Sequence, residues 1–141
     1  MTKTAPRDHG GGVDAAVARW GGTRANWIDL STGINPESYP LPPLAPDDWS
    51  ALPDMEAAGA LEGAARQFWD VPPEAAVLAA PGASALIARM PMLHAPARAW
   101  IPSPTYNEHA AAFSAGGWKV VDTGPAEAAV VVNPNNPDGR W

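Results

Sequence analysis

Apolar residues recur with a helical period at two places in the first half of the chain. Val13, Val17 and Trp20 have the spacing of one helix face, and a Gly-Gly pair follows them as a stop. From residue 54 to 68 apolar residues again recur at helical spacing, with Asp54 in the N-cap position and two prolines beyond the end. The pattern therefore predicts a short helix and a longer one.

The segment between these two helices is predicted to be mostly loop. Its first residues, WIDLS at 27–31, form a brief apolar run that predicts a strand. The proline-rich sequence that continues to about residue 53 predicts a loop that crosses the surface. We therefore divide the chain into an N-terminal arm at 1–53 and a domain at 54–141.

From residue 75 onward, short apolar runs alternate with helical segments. Four of the runs predict strands, at 75–80, 97–102, 118–123 and 128–133. Helical patterns at 85–90 and 107–115 separate the first three runs, and the last run is uninterruptedly apolar, as in a strand buried on both faces. This alternation predicts an α/β fold with a mostly parallel sheet.

Three loops follow predicted strands at the carboxyl ends, where parallel sheets bind ligands. They lie at 81–84, 103–107 and 134–139. In the first, Gly82 permits a tight turn, and Ala83 and Ser84 begin a helix whose free N–H groups would bind an anion beside the Ser84 hydroxyl. The same residues also fit a glycine turn with Ser84 as the helix N-cap, and both interpretations stay open.

The other two loops contain side chains suited to a planar ligand. Tyr106 follows a strand end, where its ring would form a pocket wall or pack as an ordinary loop aromatic. In NPNNPDG, two prolines restrain the backbone around Asn135 and Asn136, which would fix the direction of an amide that binds a ligand oxygen. The same residue types are common in plain turns, so the pattern fits either role.

Composition argues against several classes of function. The net charge is -6 and the nine Lys and Arg residues are scattered, so the basic surface of a nucleic-acid or anionic-membrane binder is missing. The chain has no cysteine, and His9, His94 and His109 lack the spacing of metal ligands. No apolar run fits a signal peptide or a membrane span, which predicts a cytoplasmic protein.

The stretch HGGG at 9–12 raises the alternative of an α/β-hydrolase, in which such a stretch forms an oxyanion hole and a later G-x-S-x-G carries the nucleophile. Here the later segment runs from Gly82 to Leu86, so leucine replaces the second glycine. No predicted strand precedes HGGG to carry an oxyanion loop. The motif therefore lacks the context that a hydrolase requires.

Taken in order, HGGG, DLSTGINP, AAPGAS, SPTYNEH and NPNNPDG resemble the N-terminal half of a fold-type I pyridoxal-phosphate enzyme of the class I and II aminotransferase group. NPNNPDG is similar to that group's NPNNPTG, with Asp138 in place of threonine. The first two motifs resemble the cobalamin branch, the threonine-phosphate decarboxylases. The fold implied is an incomplete large domain with a mostly parallel sheet, preceded by an arm of the small domain, and the full-length parent would be a homodimer.

The resemblance also implies a role for each motif. Backbone N–H groups of Ala83 and Ser84, after the Gly82 turn, would bind the phosphate of pyridoxal 5'-phosphate together with the Ser84 hydroxyl. Tyr106 would stack on the cofactor ring, and Asn136 would hydrogen-bond its 3'-oxygen. The residues implied to contact a phosphorylated amino acid substrate are His9, Gly10, Gly11, Thr32, Gly33 and Asn35.

The implied reaction is loss of CO2 from L-threonine O-3-phosphate to give (R)-1-amino-2-propanol O-phosphate. Alternatives are a histidinol-phosphate-type aminotransferase and a non-catalytic product of a truncated gene. The chemistry needs a Schiff-base lysine, and neither Lys3 nor Lys119 matches the family lysine, which lies downstream of NPNNPTG. We therefore expect the chain to be the first part of a longer enzyme, inactive and only marginally stable by itself.

Overall fold

The computed structural model describes residues 9–141. The helices are α1 (Val13–Trp20), α2 (Pro46–Ser50), α3 (Met55–Phe68), α4 (Ala83–Ile87) and α5 (Asn107–Ala115), and the strands are β1 (Arg98–Trp100), β2 (Lys119–Val121) and β3 (Ala128–Ala129). Two 3-10 turns lie at Arg24–Asn26 and Met90–Leu93. None of the helices in the described residues has the length and apolar character needed to cross a membrane.

The three strands form one parallel sheet in the order β2-β1-β3. Ala99 of β1 pairs with Val120 of β2 on one side and with Ala128 of β3 on the other. α5 connects β1 to β2, because parallel neighbours need a crossover connection. The predicted α/β fold with a mostly parallel sheet is therefore confirmed.

The buried core lies between α5 and the sheet. Ala99, Ile101, Phe113 and Trp118 form one cluster. The rings of Phe113 and Trp118 meet edge to face with their centroids 5.2 Å apart. The Trp118 indole N–H donates to the Pro91 carbonyl at 3.0 Å, which satisfies a donor that burial removes from water.

The predicted helices at 13–20, 54–68 and 107–115 are confirmed, and two of their ends have local causes. Gly21 ends α1 at φ 80, a conformation that glycine adopts without steric cost. Asp54 caps α3, because its Oδ1 accepts a hydrogen bond from Ala57 N at 2.9 Å. These helices therefore follow from periodicity and capping residues that the sequence displays.

Helix α2 lies inside the proline-rich segment that was predicted to be loop. Pro46 occupies its first turn, where a missing N–H costs nothing, and Asp48 Oδ2 accepts from Ala45 N at 2.7 Å. The sequence signal for this helix is the proline followed by two aspartates. A helix of five residues is too short to show apolar periodicity, which is why the pattern missed it.

Two predicted strands do not form, and each has a physical reason. At 27–31, Asp29 Oδ1 accepts from Ser31 N at 2.9 Å and from the Ser31 hydroxyl, and this local turn replaces strand pairing. At 75–80, no described segment pairs with the chain, and Leu78 is 74 % exposed. An apolar run becomes a strand only with a hydrogen-bonded neighbour. The predictions of strands at 27–31 and 75–80 are therefore wrong.

Two further elements are shorter than predicted. β3 covers only the first two residues of the run 128–133, and Val131 is 67 % exposed, so this run is not buried on both faces. The helix predicted over 85–90 begins earlier and ends at Ile87, and a 3-10 turn follows it. Pro91 lies in that turn and has no N–H for an α-helical hydrogen bond.

Much of the chain lies outside the core. Its accessible surface is 11931 Å², although a compact monomer of 14.7 kDa exposes about 6,900 Å². Val13 is the one buried residue before Ile87 among the described residues. The division of the chain into an arm at 1–53 and a domain at 54–141 stays a prediction.

Candidate functional site

The loops that follow β1 and β3 lie side by side, because these strands are neighbours in the sheet. Thr105 Oγ1 donates to Asn135 Oδ1 at 2.7 Å, and Asn135 Nδ2 donates to the Pro104 carbonyl at 3.0 Å. Two of the three loops singled out in the sequence, 103–107 and 134–139, therefore meet through side-chain hydrogen bonds.

The loop at 134–139 is closed by its own hydrogen bonds. Asn135 N donates to Arg140 O at 2.8 Å, and Gly139 N donates to Asn135 O at 2.7 Å. Asp138 Oδ1 accepts from Asn135 Nδ2 at 2.7 Å and from Arg140 N at 3.2 Å, while Asp138 Oδ2 lies 2.7 Å from Arg140 Nε. These partners, the Asn135 amide foremost, hold the pKa of Asp138 below its ordinary value, so this carboxylate is charged at neutral pH.

The two adjacent asparagines of this loop have different surroundings. Asn135 is half-buried, and its amide makes the three hydrogen bonds described above. Asn136 is exposed, and among the described residues its side chain has no hydrogen-bond partner. Asn135 therefore builds the turn, one of the two roles that the sequence left open, while the binding of a ligand by the exposed Asn136 amide stays a prediction.

Tyr106 lies at the start of α5 and is half-buried. Its ring meets the imidazole of His109 edge to face, with centroids 6.0 Å apart and planes at 82°. Burial lowers the pKa of His109 below its ordinary value, so its imidazole is neutral at pH 7. Tyr106 thus contacts an uncharged ring. It belongs to the loop at 103–107, to which the Asn135 side chain is hydrogen-bonded.

The loop at 81–84 opens helix α4. Gly82 is the N-cap residue and has φ 82, a conformation in which a side chain would be strained. Ser84 is therefore already inside the helix, and the interpretation of Ser84 as the N-cap is wrong. Its hydroxyl is exposed and has no partner among the described residues, and the N–H groups of Ala83 and Ser84 belong to the unpaired first turn. Donors suited to an anion are present at this loop.

A groove of about 390 Å³ runs between α4 and α5. Ser84 and Glu108 both line it. Glu108 lies in the first turn of α5, and its Oε1 is 3.2 Å from His9 Nε2. This contact places the predicted phosphate-binding histidine at the end of α5 where Tyr106 lies. Glu108 was not predicted as a site residue, because its local signal is merely an acidic residue two positions after Tyr106.

The glycine turn after His9 packs on the segment 29–32. Gly11 N donates to Ser31 Oγ at 2.7 Å. Gly10 has φ 73, and a Cβ at this residue would lie 2.6 Å from both Ser31 O and Thr32 Cγ2. The structure therefore brings together two of the motifs assigned to the substrate, and only glycine fits at the contact.

Asp29 and Ser31 shape the contact between the glycine turn and the segment 29–32. Neither residue was predicted from the sequence to have a role. The Ser31 hydroxyl and N–H both donate to Asp29 Oδ1, and these bonds lower the pKa of Asp29. An Asp two residues before a Ser is the local signal for such a turn. The turn presents Ser31 Oγ to the N–H of Gly11.

Gly33 and Asn35, which were also predicted to contact the substrate, lie on the exposed segment that follows Thr32. Asn35 Oδ1 accepts from Glu37 N at 3.0 Å, which makes a local turn. Gly33 is exposed, and a Cβ at this residue would contact nothing within 4 Å. The structure therefore connects Thr32 with the glycine turn and shows no comparable contact for Gly33 or Asn35. Contact of all three with one substrate stays a prediction.

The described loops at 81–84, 103–107 and 134–139 contain no lysine. Lys119 lies in β2 and is exposed, and Lys3 is outside the described residues. Residues 9–141 contain no group of three His, Asp or Glu side chains that could hold a metal ion. The arrangement offers hydrogen-bond donors, an aromatic ring and an amide, which are binding groups.

Comparisons with a family model and with individual proteins agree with each other. Residues 26–129 match the family Aminotransferase class I and II. The chain is 39 % identical to a threonine-phosphate decarboxylase from Sinorhizobium sp, over 97 % of this chain and 43 % of that protein. It is 37 % identical to a threonine-phosphate decarboxylase from Pseudomonas aeruginosa, over 94 % of this chain and 41 % of that protein. The chain thus spans about two fifths of the length of these relatives.

Proposed function

The chain belongs to the class I and II aminotransferase family, and on that premise we propose that it supplies the cofactor- and substrate-binding part of a threonine-phosphate decarboxylase. The whole enzyme would convert L-threonine O-3-phosphate to (R)-1-amino-2-propanol O-phosphate in cobalamin biosynthesis. The observation that carries this proposal is the similarity to two proteins of that name over nearly all of this chain. A cytoplasmic location and a homodimeric whole enzyme are part of the same proposal.

Enzymes of this family use pyridoxal 5'-phosphate, and the loop residues suit each part of that molecule. The exposed Ser84 hydroxyl, with the N–H groups of Ala83 and Ser84, would bind its phosphate. The ring of Tyr106 would lie against the pyridine, and the Asn136 amide would donate to the 3'-oxygen. When bound, the cofactor accepts the electrons left at the substrate Cα as a bond to that carbon breaks.

A second set of residues would hold the substrate. His9 and the glycine turn would contact its phosphate, and Glu108 Oε1, 3.2 Å from His9 Nε2, would orient the imidazole toward it. The segment beginning at Thr32 would lie along the substrate, since the Gly10 turn already contacts this residue. A phosphate-binding group separate from that of the cofactor fits a substrate with its own phosphate.

The chain contains no residue to which we assign the covalent step. Lys119 lies in a strand of the sheet rather than on a ligand loop. The lysine that binds the cofactor covalently would therefore lie outside these 141 residues, and the chain alone would be inactive. After incubation of the chain with pyridoxal phosphate and reduction with borohydride, we expect no stoichiometric pyridoxyl-lysine. A stable adduct at Lys119 would overturn this assignment.

Assay of the whole enzyme tests the reaction type. We expect CO2 release from L-threonine O-3-phosphate without any need for a 2-oxo acid. Amino transfer to 2-oxoglutarate, with no CO2 released, would instead indicate an aminotransferase of the histidinol-phosphate type. The unphosphorylated amino acid L-threonine is the control, because a site that recognises the phosphate should turn it over poorly.

A further inference from the structure

The contact between the loops at 103–107 and 134–139 is made by one side chain, that of Asn135. The β1–β3 pairing continues only as far as the hydrogen bond from Val130 N to Trp100 O at 3.0 Å. Beyond that point, the Asn135 amide joins the loop at 134–139 to the loop at 103–107 through two hydrogen bonds. The sheet brings these loops side by side, and beyond its last hydrogen bond the side chain of Asn135 joins them.

The surroundings of Asn135 allow its amide a single orientation. Its Nδ2 donates to two oxygens that accept only, the Pro104 carbonyl at 3.0 Å and Asp138 Oδ1 at 2.7 Å. Rotation of the amide by 180° would place its oxygen against both of them, which is repulsive. Oδ1 then faces the Thr105 hydroxyl, which donates to it at 2.7 Å.

Asp138 strengthens this arrangement in a way that an uncharged side chain cannot. One of its carboxylate oxygens receives the Asn135 amide, and the other lies 2.7 Å from Arg140 Nε. Hydrogen bonds to a charged acceptor are stronger than those between neutral groups. The threonine of the similar NPNNPTG motif offers one neutral oxygen, so the aspartate holds Asn135 and Arg140 more firmly.

We propose that Thr105, Asn135 and Asp138 are positioning residues that fix the distance between Tyr106 and Asn136. We call this trio the loop lock. Thr105 and Asn135 form the contact between the loops. Thr105 directly precedes Tyr106 and Asn135 directly precedes Asn136, so each is the neighbour of a proposed ligand residue. This inference rests on the proposed function, in which the ring and the amide hold two sides of one cofactor.

Substitutions in the whole enzyme test the loop lock through cofactor binding. Thr105→Val removes the donated hydrogen bond with little change of shape, and Asn135→Ala removes the whole contact. We expect the dissociation constant for pyridoxal phosphate to rise about tenfold in Thr105→Val, since one hydrogen bond contributes about one factor of ten, and to rise further in Asn135→Ala, which loses both bonds between the loops. Thr123→Val, which changes an exposed hydroxyl on the turn before β3, is the matched control and should leave the constant unchanged.

A double-mutant cycle separates positioning from a general loss of stability. If the lock acts through Asn136, then Thr105→Val should cost much less cofactor affinity in an Asn136→Ala background than in the wild type. The pH at which the visible absorbance of the bound cofactor changes should shift in Thr105→Val in the same direction as in Asn136→Ala. Additive losses, together with an unshifted absorbance titration, would overturn the inference.

A measurement without cofactor tests the contact itself. In the cofactor-free whole enzyme, Asn135→Ala should speed hydrogen exchange of the amides in segment 134–140, and Asp138→Asn should do so to a smaller extent. Unchanged exchange in both variants would also overturn the loop lock. If the enzyme binds the cofactor with the expected coupling but releases no CO2 from threonine phosphate, the decarboxylase proposal fails and the loop lock stands.

Discussion

Asn135 and Asn136 are chemically identical neighbours, and their roles differ because of what surrounds each one. The sequence identified the loop, and the resemblance assigned the ligand role to Asn136. The role of Asn135 was not predictable, because its partner Thr105 is 30 residues away in the chain and meets it only when β1 and β3 pair. Glu108 was not predicted for the same reason, because His9, which lies 3.2 Å from it, belongs to the start of the chain. Contacts distant in sequence carry no local signal.

Gly10 gives a test at the residue scale. Its φ of 73 and the 2.6 Å that would separate a Cβ from Ser31 O leave no room for a side chain. We expect Gly10→Ala in the whole enzyme to raise KM for threonine phosphate about tenfold, since such strain costs on the order of 1–3 kcal/mol and displaces the turn. Gly12→Ala, where a Cβ meets nothing within 4 Å, is the control. Equal KM values in the two variants would contradict the proposed role of the turn.

At the scale of elements, helices were predicted better than strands, although three of the five predicted strands, at 97–102, 118–123 and 128–133, form in part. Periodicity and caps located α1, α3 and α5, because a helix satisfies its own backbone hydrogen bonds. An apolar run does not specify the neighbour that a strand requires, and the run at 75–80 has none among the described residues. The loops at 103–107 and 134–139 were nevertheless located correctly, since they follow β1 and β3, the strands that do form beside each other.

Helix α3 depends mainly on local interactions, because none of its residues is buried. Met55 and Phe68 at its two ends are 90 % and 83 % exposed, so packing contributes little there. An isolated helix of this length is marginal in water. We expect Asp54→Ala to remove the cap on Ala57 N, at a cost of about 1 kcal/mol, and to lower the helical circular dichroism signal of the chain. Asp54→Ser keeps a capping oxygen and should preserve most of that signal.

At the scale of the whole molecule, the accessible surface is far larger than in a compact protein of this mass, and many large apolar side chains are exposed. Side chains such as Leu52, Phe68 and Leu78 are at least 74 % exposed, and the accessible surface of 11931 Å² exceeds the value of about 6,900 Å² for a compact monomer. Patches of this kind cause association or mark surfaces that other parts of an assembly cover. The chain by itself is therefore expected to be marginal in stability.

Urea unfolding of the isolated chain measures this property. We expect a slope of the unfolding free energy against urea that is smaller than normal for 141 residues, because less surface is newly exposed on unfolding. Strong binding of a hydrophobic dye before any urea is added should accompany it. Leu78→Lys, which changes one exposed apolar residue, should reduce the dye signal. One cooperative transition of normal slope, with little dye bound, would contradict the expectation.

The core described above is contiguous in the chain, and this has a consequence for the order of folding. The four residues of this cluster, Ala99, Ile101, Phe113 and Trp118, lie within one β1-α5-β2 unit, and Ala128 and Val130, which follow β2, pack against it. During synthesis this unit can assemble as soon as it leaves the ribosome, because its contacts are short in sequence. The loop lock must wait for Asn135 and Asp138 to emerge. The protein therefore acquires its stable centre first and the spacing of its ligand residues last.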